Sequence, residues 1–381
     1  MPAASILIKP TSANCNMDCK YCFYKCLSSN REEYSKGFMT EDTLEKLVIR
    51  AFEYAEGAVT FAFQGGEPTL AGIPFFEKAV ELQKKYNKNG IMVENTIQTN
   101  GLLIDEEWAE FLAKNHFLVG LSLDGPRKMH DAARFDVKGE GTFERLMNTV
   151  SILKQYNVDF NILTVVTNET AANASALYKF YQRNKFPYVQ LIPCMDEPGR
   201  NEANSENSNP YAVTPEAYGK FLCQFFDLWY EDFKRGEIID VRMFSNLAQM
   251  TVGYPPEECG MSGCCNCYFV VEGDGSVYPC DFYCMDEWKL GTVGESFSDL
   301  IQGKRVEKFV EASKFVSEEC RECSYVSLCR GGCRRWREPF MDGKPRLNYL
   351  CPAYQIFFPH VWERLHRLGQ TIINPKSRKN L

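Results

Sequence analysis

The chain has 381 residues, of which 45% are hydrophobic and 13% aromatic, and its formal net charge is −7 at pH 7. This apolar content is enough for one large packed domain, or for a large domain with a smaller appendage. The acidic balance argues against a nucleic-acid-binding protein, which needs clustered cations to neutralise phosphates, and the short run of Arg334, Arg335 and Arg337 does not reverse it.

The N-terminal segment begins Met-Pro-Ala-Ala-Ser-Ile-Leu-Ile-Lys-Pro and lacks the charged start and long apolar run of a signal peptide. No later stretch approaches the roughly 18 consecutive apolar residues of a membrane-spanning helix. We therefore expect a cytoplasmic protein without a membrane partner. In that compartment the 17 cysteines indicate metal ligands or reactive thiols rather than disulfides.

Six apolar runs rich in β-branched residues alternate with helical patterns and predict an α/β fold with a parallel sheet. The predicted strands are Ser5–Ile8, Val59–Phe63, Val93–Gln98, Phe117–Leu123, Asn161–Val166 and Val189–Ile192. The predicted helices between them are Glu41–Tyr54 with Thr40 as its N-cap, Ile73–Tyr86, Glu106–Lys114, Phe143–Tyr156 and Ala172–Arg183. Six units rather than eight indicate a partial (β/α)6 barrel, in which the chemistry lies at the carboxyl ends of the strands.

Beyond the sixth predicted strand the composition of the sequence changes. Residues 196–212 are polar and rich in turn formers, which predicts a loop, and a helix is expected over Pro215–Lys234. From about residue 255 to residue 351 the chain is rich in cysteine and glycine, which favours a fold held by metal rather than by a large core. We therefore place one domain at residues 1–235 and a cysteine-rich domain with a C-terminal helix at residues 236–381. The tail Lys376–Lys379 is expected to fray.

Directly after the first predicted strand, Cys15, Cys19 and Cys22 form a Cys-x3-Cys-x2-Cys pattern. Three thiolates can hold three irons of a [4Fe–4S] cluster and leave the fourth iron open for a substrate. From spacing alone, the alternatives are a zinc site completed by a distant fourth ligand, or three incidental thiols. The second predicted strand is followed by a Gly-Gly-Glu-Pro turn at Gly65–Pro68.

The triplet, with Tyr21 between its last two cysteines, and the Gly65–Pro68 turn resemble the signature of the radical S-adenosylmethionine superfamily. The resemblance implies that S-adenosyl-L-methionine binds the open iron and is cleaved to a 5′-deoxyadenosyl radical. Several longer stretches are similar to the anaerobic sulfatase-maturating enzymes, which oxidise a Cys or Ser of a sulfatase to Cα-formylglycine (3-oxoalanine). These stretches are Cys19–Tyr24, Phe61–Gly72, Gln98–Gly101 and Val277–Tyr283.

The later cysteines resemble those of the SPASM extension found in peptide-modifying radical enzymes. That resemblance implies two auxiliary [4Fe–4S] clusters in addition to the catalytic one. One would be held by Cys259, Cys265, Cys280 and Cys333, and the other by Cys320, Cys323, Cys329 and Cys351. Spacing alone leaves open whether Cys264 or Cys267 replaces Cys265, and whether the Cys-x2-Cys pair belongs to a structural zinc site.

The resemblance also implies which residues surround the cofactor. Arg134 is expected to bind its carboxylate, a task that suits a guanidinium fork, and Gly66 to let the backbone approach its amine because glycine lacks a Cβ. The expected contacts are Tyr21, Gln64, Gly66, Gln98, Ser122, Arg134 and Met195. Asp281 matches the family's proposed general base, and the alternative for this residue is a carboxylate that accepts backbone N–H bonds in a loop.

The sequence thus predicts an oxygen-independent radical oxidoreductase that acts on a Cys/Ser-x-Pro/Ala-x-Arg segment of a sulfatase. Its electron donor would be a protein such as flavodoxin or ferredoxin. One alternative is a maturase that forms thioethers or epimerises residues in a ribosomal peptide, although such enzymes usually have an N-terminal recognition domain and here the triplet begins at residue 15. The other is a zinc-stabilised scaffold protein without catalysis, which an iron and sulfide assay distinguishes.

Overall fold

The computed structural model describes residues 3–196 and 209–373, so most of the predicted loop 196–212 and the tail Lys376–Lys379 lie outside the described residues. Its strands are β1 Ala4–Ile8, β2 Ala58–Phe63, β3 Met92–Thr99, β4 Phe117–Ser122, β5 Phe160–Val166, β6 Tyr188–Pro193, β7 Asp240–Val241, β8 Phe269–Val271, β9 Ser276–Tyr278 and β10 Gly291–Thr292. Its α-helices are α1 Phe23–Ser29, α2 Glu41–Tyr54, α3 Ile73–Tyr86, α4 Glu106–Lys114, α5 Arg127–Ala133, α6 Phe143–Gln155, α7 Asn168–Ala172, α8 Ala174–Asn184, α9 Pro215–Arg235, α10 Arg242–Met250, α11 Phe297–Ile301, α12 Lys304–Glu311, α13 Glu318–Arg321, α14 Val326–Cys329 and α15 Cys351–Ile373. None of these helices is both long and apolar enough to cross a membrane.

The six strands predicted from apolar runs correspond to β1–β6, with ends that differ by at most one residue. Helices α2, α3 and α4 have the predicted bounds. The Thr40 hydroxyl accepts the Thr43 backbone N–H at 3.2 Å, which confirms the predicted N-cap. The predicted start of the helix Ala172–Arg183 was wrong. Asn173 is not helical and separates α7 from α8, so α8 begins at Ala174.

Contacts divide the described chain into two compact units, each made of non-contiguous segments. The first unit comprises Met1–Leu123, His130–Asn161 and Cys267–Phe309. Within it the strand order is β10-β9-β8-β1-β2-β3-β4. Strands β1 to β4 are parallel, β8 is parallel to β1, and β9 and β10 continue the sheet in antiparallel pairs. The division of the chain at residue 235 stays a prediction.

An aromatic core fixes the strands of the first unit against its helices. The Phe76 ring of α3 lies 5.0 Å from the Phe63 ring of β2 and 6.3 Å from the Phe117 ring of β4, measured between ring centroids. It also contacts the Trp108 ring of α4 edge-on at 5.3 Å. Truncating such a buried aromatic typically costs about 3–5 kcal/mol. This packing holds the carboxyl ends of the strands, where the predicted site residues lie.

Strands β8 and β9 correct one expectation from the sequence. All six of their residues are buried, and they extend the sheet of the first unit beyond β1. The expectation that metal rather than an apolar core holds residues 255–351 is therefore wrong for this part of the region. Strands of three residues that are buried on both faces show neither alternation nor length, so no periodicity could indicate them.

The second unit comprises Asp124–Met129, Ile162–Asn266 and Val310–Leu381. Its strands β5, β6 and β7 are parallel. Helices α9 and α15 pack closely in this unit because Gly219 lacks a side chain: a Cβ there would lie 2.9 Å from the Ala353 carbonyl oxygen. Beside this contact, the Phe244 ring lies 5.0 Å from the Phe226 ring and 5.8 Å from the Phe357 ring. The aromatic cluster anchors α15, which begins at the predicted ligand Cys351.

Candidate active site and iron–sulfur sites

The predicted catalytic cysteines lie in the first unit, on the loop between β1 and α1. Cys22 is the residue before the first turn of α1, and the Cys15 sulfur accepts the Met17 backbone N–H at 3.4 Å. Burial raises the pKa of the Cys15 thiol to about 12; the Met17 N–H opposes this shift, and the nearby thiols of Cys19 and Cys22 add to it. The three sulfurs are therefore close enough to interact electrostatically, and iron must displace their protons when it binds.

The glycine turn after β2 packs against the loop that leads into this triplet. The Gly66 N–H donates to the Ser12 carbonyl at 2.8 Å, and the Glu67 N–H donates to the Asn14 carbonyl at the same distance. A Cβ on Gly66 would lie 2.0 Å from the Asn14 carbonyl oxygen, so no other residue fits. The structure thus supplies a reason for glycine that the sequence did not indicate. The expected contact of Gly66 with the cofactor stays a prediction.

Glu67 joins the ends of two neighbouring strands. Its buried carboxylate accepts the Thr69 N–H at 3.0 Å, the Thr99 hydroxyl at 2.7 Å and the Asn100 N–H at 2.7 Å. Burial raises the pKa of Glu67, and these donors oppose the shift. The carboxylate therefore fixes the turn after β2 to the end of β3, which is a structural task.

Four of the expected cofactor contacts of the first unit form two hydrogen-bonded pairs. Arg134 donates to the Tyr21 hydroxyl at 3.0 Å, and the Gln98 side-chain amide donates to the Ser122 hydroxyl at 3.0 Å. The guanidinium of Arg134 is buried although it carries a charge. Met195 belongs to the second unit and follows β6. The pairs show which side chains lie together, and their contact with S-adenosylmethionine stays a prediction.

Asp281 lies in a buried short turn directly after Cys280, and three side chains of the first unit surround its carboxylate. One oxygen, Oδ1, lies 2.8 Å from the ammonium nitrogen of Lys9. The other, Oδ2, accepts the Tyr24 hydroxyl at 2.6 Å and the Gln64 amide at 3.2 Å. The structure thus places Gln64 beside Asp281, whereas the sequence predicted it beside the cofactor. Burial, and then Asp281 itself, raise the pKa of Tyr24 well above its usual value, so this phenol remains a donor.

Lys9 is a site residue that the sequence reasoning missed. Its side chain is 1% exposed, and its ammonium also lies 3.6 Å from Glu272, which in turn pairs with Arg31 at 2.8 Å. Burial alone would lower the pKa of Lys9, but Asp281, the Cys284 thiol and Glu272 raise it above its usual value. The ammonium is therefore charged. The positive charges of Lys9 and Arg31 are thus neutralised by the buried carboxylates of Glu272 and Asp281.

One signal in the sequence could have indicated this residue. Lys9 directly follows β1, so it is a charge at the carboxyl end of a buried strand, where parallel barrels place their chemistry. A lysine after an apolar run is more often read as a residue that extends into solvent. Its partners Glu272 and Asp281 are more than 260 positions away in sequence, and no local pattern reveals them.

The four cysteines predicted for the second auxiliary cluster line one cavity of the second unit, of about 500 Å³ including its open mouth. Gly331, Asn348, Tyr354 and other residues complete the lining. Burial raises the pKa of Cys329 to about 11, and the adjacent thiols of Cys320, Cys323 and Cys351 add to this shift. Four thiols around one cavity are the donor set that a closed [4Fe–4S] cluster requires.

The cysteines predicted for the first auxiliary cluster are divided between the units, because Cys280 belongs to the first and the others to the second. Within the second unit, burial raises the pKa of Cys333 to about 12, and the thiols of Cys265 and Cys259 contribute. Burial raises the pKa of Cys259, and the nearby Cys264 thiol adds to this shift. The choice between Cys264 and Cys265 therefore stays open, as does the place of Cys267.

Among the described residues, no three Cys, His, Asp or Glu side chains converge on the position of a single metal ion. Thiolates that each bind a different iron of a cubane do not need to converge on one point. The chemistry of the donor sets fits iron–sulfur clusters, because soft thiolates are the ligands that hold them. The individual ligand assignments remain predictions.

Comparison with known proteins decides the family. A model of the radical SAM superfamily matches residues 10–181, and a model of an iron-sulfur cluster-binding domain (SPASM) matches residues 263–324. A cysteine-type anaerobic sulfatase-maturating enzyme from Clostridium perfringens is 45% identical over 98% of this chain and 100% of its own length. The chain belongs to the anaerobic sulfatase-maturating enzymes. A serine-type member from Bacteroides thetaiotaomicron is 32% identical over 99% of this chain and 94% of its own length.

The match extends to solved structures. The structure described as native anSMEcpe with bound AdoMet and Cp18Cys peptide has a TM-score of 0.92 and 44% identity, over 97% of this chain and 100% of that one. The predicted fold class, a partial radical-SAM barrel with a SPASM domain, is confirmed. So is the predicted class of enzyme, a radical S-adenosylmethionine oxidoreductase whose cofactors are S-adenosylmethionine and [4Fe–4S] clusters.

Proposed function

We propose that this enzyme oxidises a cysteine of a sulfatase polypeptide to Cα-formylglycine, and that Asp281 takes the thiol proton. The observation that carries the assignment of the base is the buried Asp281 carboxylate, which has an ion pair with Lys9 at one oxygen and hydrogen bonds from Tyr24 and Gln64 at the other. The cysteine specificity rests on similarity: the cysteine-type relatives are 43–45% identical to this chain, and the serine-type relatives 31–32%. Cysteine also suits a carboxylate base, because a thiol with a pKa of about 8.5 gives up its proton readily.

The overall change can be written with its atoms balanced. The target cysteine loses a hydrogen atom from Cβ, the proton of its thiol and one electron, which leaves a thioaldehyde. Water then replaces sulfur, giving the aldehyde and hydrogen sulfide. Bound S-adenosylmethionine would supply the hydrogen-atom acceptor, and the auxiliary clusters would accept the electron. The polypeptide must therefore supply a base, an oriented substrate and a binding site for the cofactor.

The geometry around Asp281 is suited to accepting the thiol proton. A carboxylate has about four lone-pair positions. Lys9, Tyr24 and Gln64 approach from three directions, which leaves one position for a proton. Lys9 and its neighbours also fix the orientation of the carboxylate, as a catalytic base requires. Tyr24 remains protonated and acts as a donor rather than as a second base.

The residues proposed to hold the cofactor would each bind a different part of it. Cys15, Cys19 and Cys22 would hold three irons, and Arg134, oriented by Tyr21, would pair with the carboxylate of S-adenosylmethionine. The Gln98–Ser122 pair would offer polar contacts at the ends of β3 and β4. Met195 would provide an apolar contact, and the reductant would be a protein such as flavodoxin or ferredoxin.

The experiment that tests the proposal compares two substrates. Reconstituted enzyme is incubated anaerobically with a Cys-x-Pro-x-Arg peptide and with its Ser counterpart, and both are analysed by mass spectrometry. We expect the Cys peptide to lose about 18 mass units, and to do so faster than the Ser peptide loses about 2. Faster conversion of the Ser peptide would contradict the cysteine assignment. A loss of about 2 mass units from the Cys peptide, without an aldehyde, would indicate thioether formation instead.

A further inference from the structure

Three arginines that follow Cys333 are buried, although a short cationic run usually lies on the surface. Arg334, Arg335 and Arg337 are 6%, 3% and 4% exposed. A buried guanidinium costs folding free energy unless an anion neutralises it. Arg335 approaches the Glu338 carboxylate at 3.8 Å, which provides such an anion for that residue. The position of Arg337 raises the question of what balances its charge.

Arg337 is held by carbonyl oxygens. Its Nη1 donates to the Ser313 carbonyl at 2.9 Å, its Nε to the Arg346 carbonyl at 3.4 Å, and its Nη2 to the Phe315 carbonyl. Within residues 3–196 and 209–373, no carboxylate forms an ion pair with it. Carbonyl groups orient a guanidinium but carry only partial charges, so its full positive charge is not neutralised by them.

The guanidinium lies between the cysteines predicted for the two auxiliary clusters. On one side, Ser313 accepts Arg337 with its carbonyl and the Cys265 backbone N–H with its hydroxyl, at 2.7 Å. On the other side, Nη1 lies 3.8 Å from where a Cβ on Gly331 would be, and Gly331 lines the cavity of Cys320, Cys323, Cys329 and Cys351. Burial lowers the pKa of this guanidinium, and three thiols oppose that shift, those of Cys320, Cys265 and Cys333.

We infer that Arg337 is the buried counter-cation of the auxiliary iron–sulfur sites and raises their reduction potentials. A four-iron cluster held by four thiolates is anionic, and its reduced form carries one more negative charge. A fixed cation nearby stabilises the reduced form more than the oxidised form, and the net charge around a cluster is one determinant of its potential. The low effective dielectric of a buried site strengthens this interaction.

This inference deepens the proposed function, because the auxiliary clusters are the proposed acceptor of the electron from the substrate. A higher potential makes that transfer more favourable. A residue that acts through a cluster in this way is a positioning residue and does not touch the reacting atoms. The test measures the clusters in the absence of peptide and of S-adenosylmethionine, so its result does not depend on whether formylglycine is the product.

The experiment compares Arg337→Gln and Arg337→Lys with a matched control, Arg321→Gln. Arg321 is exposed and adjacent to the predicted ligand Cys320, so solvent should screen its charge. Iron content and an EPR-monitored redox titration are measured for each full-length reconstituted protein. We expect Arg337→Gln to retain its iron and to make reduction of an auxiliary cluster about tenfold less favourable, a shift of about 59 mV to more negative potential for one electron. Arg337→Lys and Arg321→Gln should keep native potentials.

Full iron with unchanged potentials in Arg337→Gln would overturn the inference. If Arg337→Gln loses iron, Arg337→Lys decides, because it keeps the charge but loses the planar fork. Native potentials in that variant would support the role of the charge. Loss of iron in both variants, or shifted potentials in Arg337→Lys, would assign Arg337 to holding the Ser313–Phe315 segment, and the inference would be wrong.

Discussion

Replacing Asp281 with Asn should lower the rate of formylglycine formation by about 10²–10⁴-fold, the range typical of lost general acid–base catalysis. Asn has the size of Asp but cannot take the thiol proton. Cleavage of S-adenosylmethionine to 5′-deoxyadenosine should continue, because Asn can still accept the Tyr24 hydroxyl and the substitution leaves Cys15, Cys19 and Cys22 unchanged. The measurement is the ratio of formylglycine to 5′-deoxyadenosine in anaerobic turnover, together with the iron content.

The control for Asp281→Asn is Asp286→Asn. Asp286 lies five positions further along the chain, is 36% exposed and accepts the Glu32 backbone N–H at 2.9 Å. Its variant should react at the native rate. If Asp281 were only a structural carboxylate, its loss would disturb the adjacent ligand Cys280 and iron content would fall in parallel with activity. Asp281→Asn protein that keeps its iron and forms formylglycine at the native rate would place the base elsewhere.

Replacing Lys9 with Met should lower the amount of formylglycine formed per cleaved S-adenosylmethionine, and it should also destabilise the fold. The ammonium is the cation that faces Asp281 Oδ1, and without it the carboxylate loses both its orientation and its neutralising charge. Removing one partner of a buried ion pair typically costs about 3–5 kcal/mol of stability. Loss of a residue that orients a metal ligand typically costs about 10–100-fold in activity, and we expect a loss of similar size for a residue that orients a base. We therefore expect less formylglycine per 5′-deoxyadenosine and a lower unfolding temperature.

A double variant separates these two effects. Lys9→Met with Glu272→Gln removes one cation and one anion, so that Arg31 and Asp281 remain and the buried charges balance again. Its unfolding temperature should recover towards the native value, whereas the ratio of formylglycine to 5′-deoxyadenosine should stay low. Recovery of both quantities would show that Lys9 serves only the charge balance of the fold.

Local patterns predicted the framework of the fold because its determinants are local. The strands β1 to β6 are runs of apolar residues bounded by polar ones, and Thr40 caps α2 through a residue only three positions away. The cysteine spacing and the Gly65–Pro68 turn indicated the chemistry for the same reason. The expected base, Asp281, came from resemblance alone, and the structure adds the side chains that surround it.

What the sequence could not predict is non-local. Lys9 meets Asp281 because β8 pairs with β1, and a strand of three buried residues gives no periodic signal. The close packing of Gly66 against the Asn14 carbonyl involves a loop that had no predicted conformation, and the expected contact of Gly66 with the cofactor stays a prediction. The burial of Arg337 likewise depends on the Ser313 carbonyl, 24 positions earlier in the chain, and no local pattern indicated that contact.

The central claim is that hydrogen leaves Cβ of the target cysteine and that this enzyme forms formylglycine as a result. The most direct measurement uses a Cys-x-Pro-x-Arg peptide with deuterium at Cβ, and analyses both 5′-deoxyadenosine and the peptide by mass spectrometry. The Cys15, Cys19 and Cys22→Ala variant is the control and should form neither product. We expect each formylglycine to be accompanied by one deuterium in 5′-deoxyadenosine. Formylglycine that appears without deuterium in 5′-deoxyadenosine would contradict it.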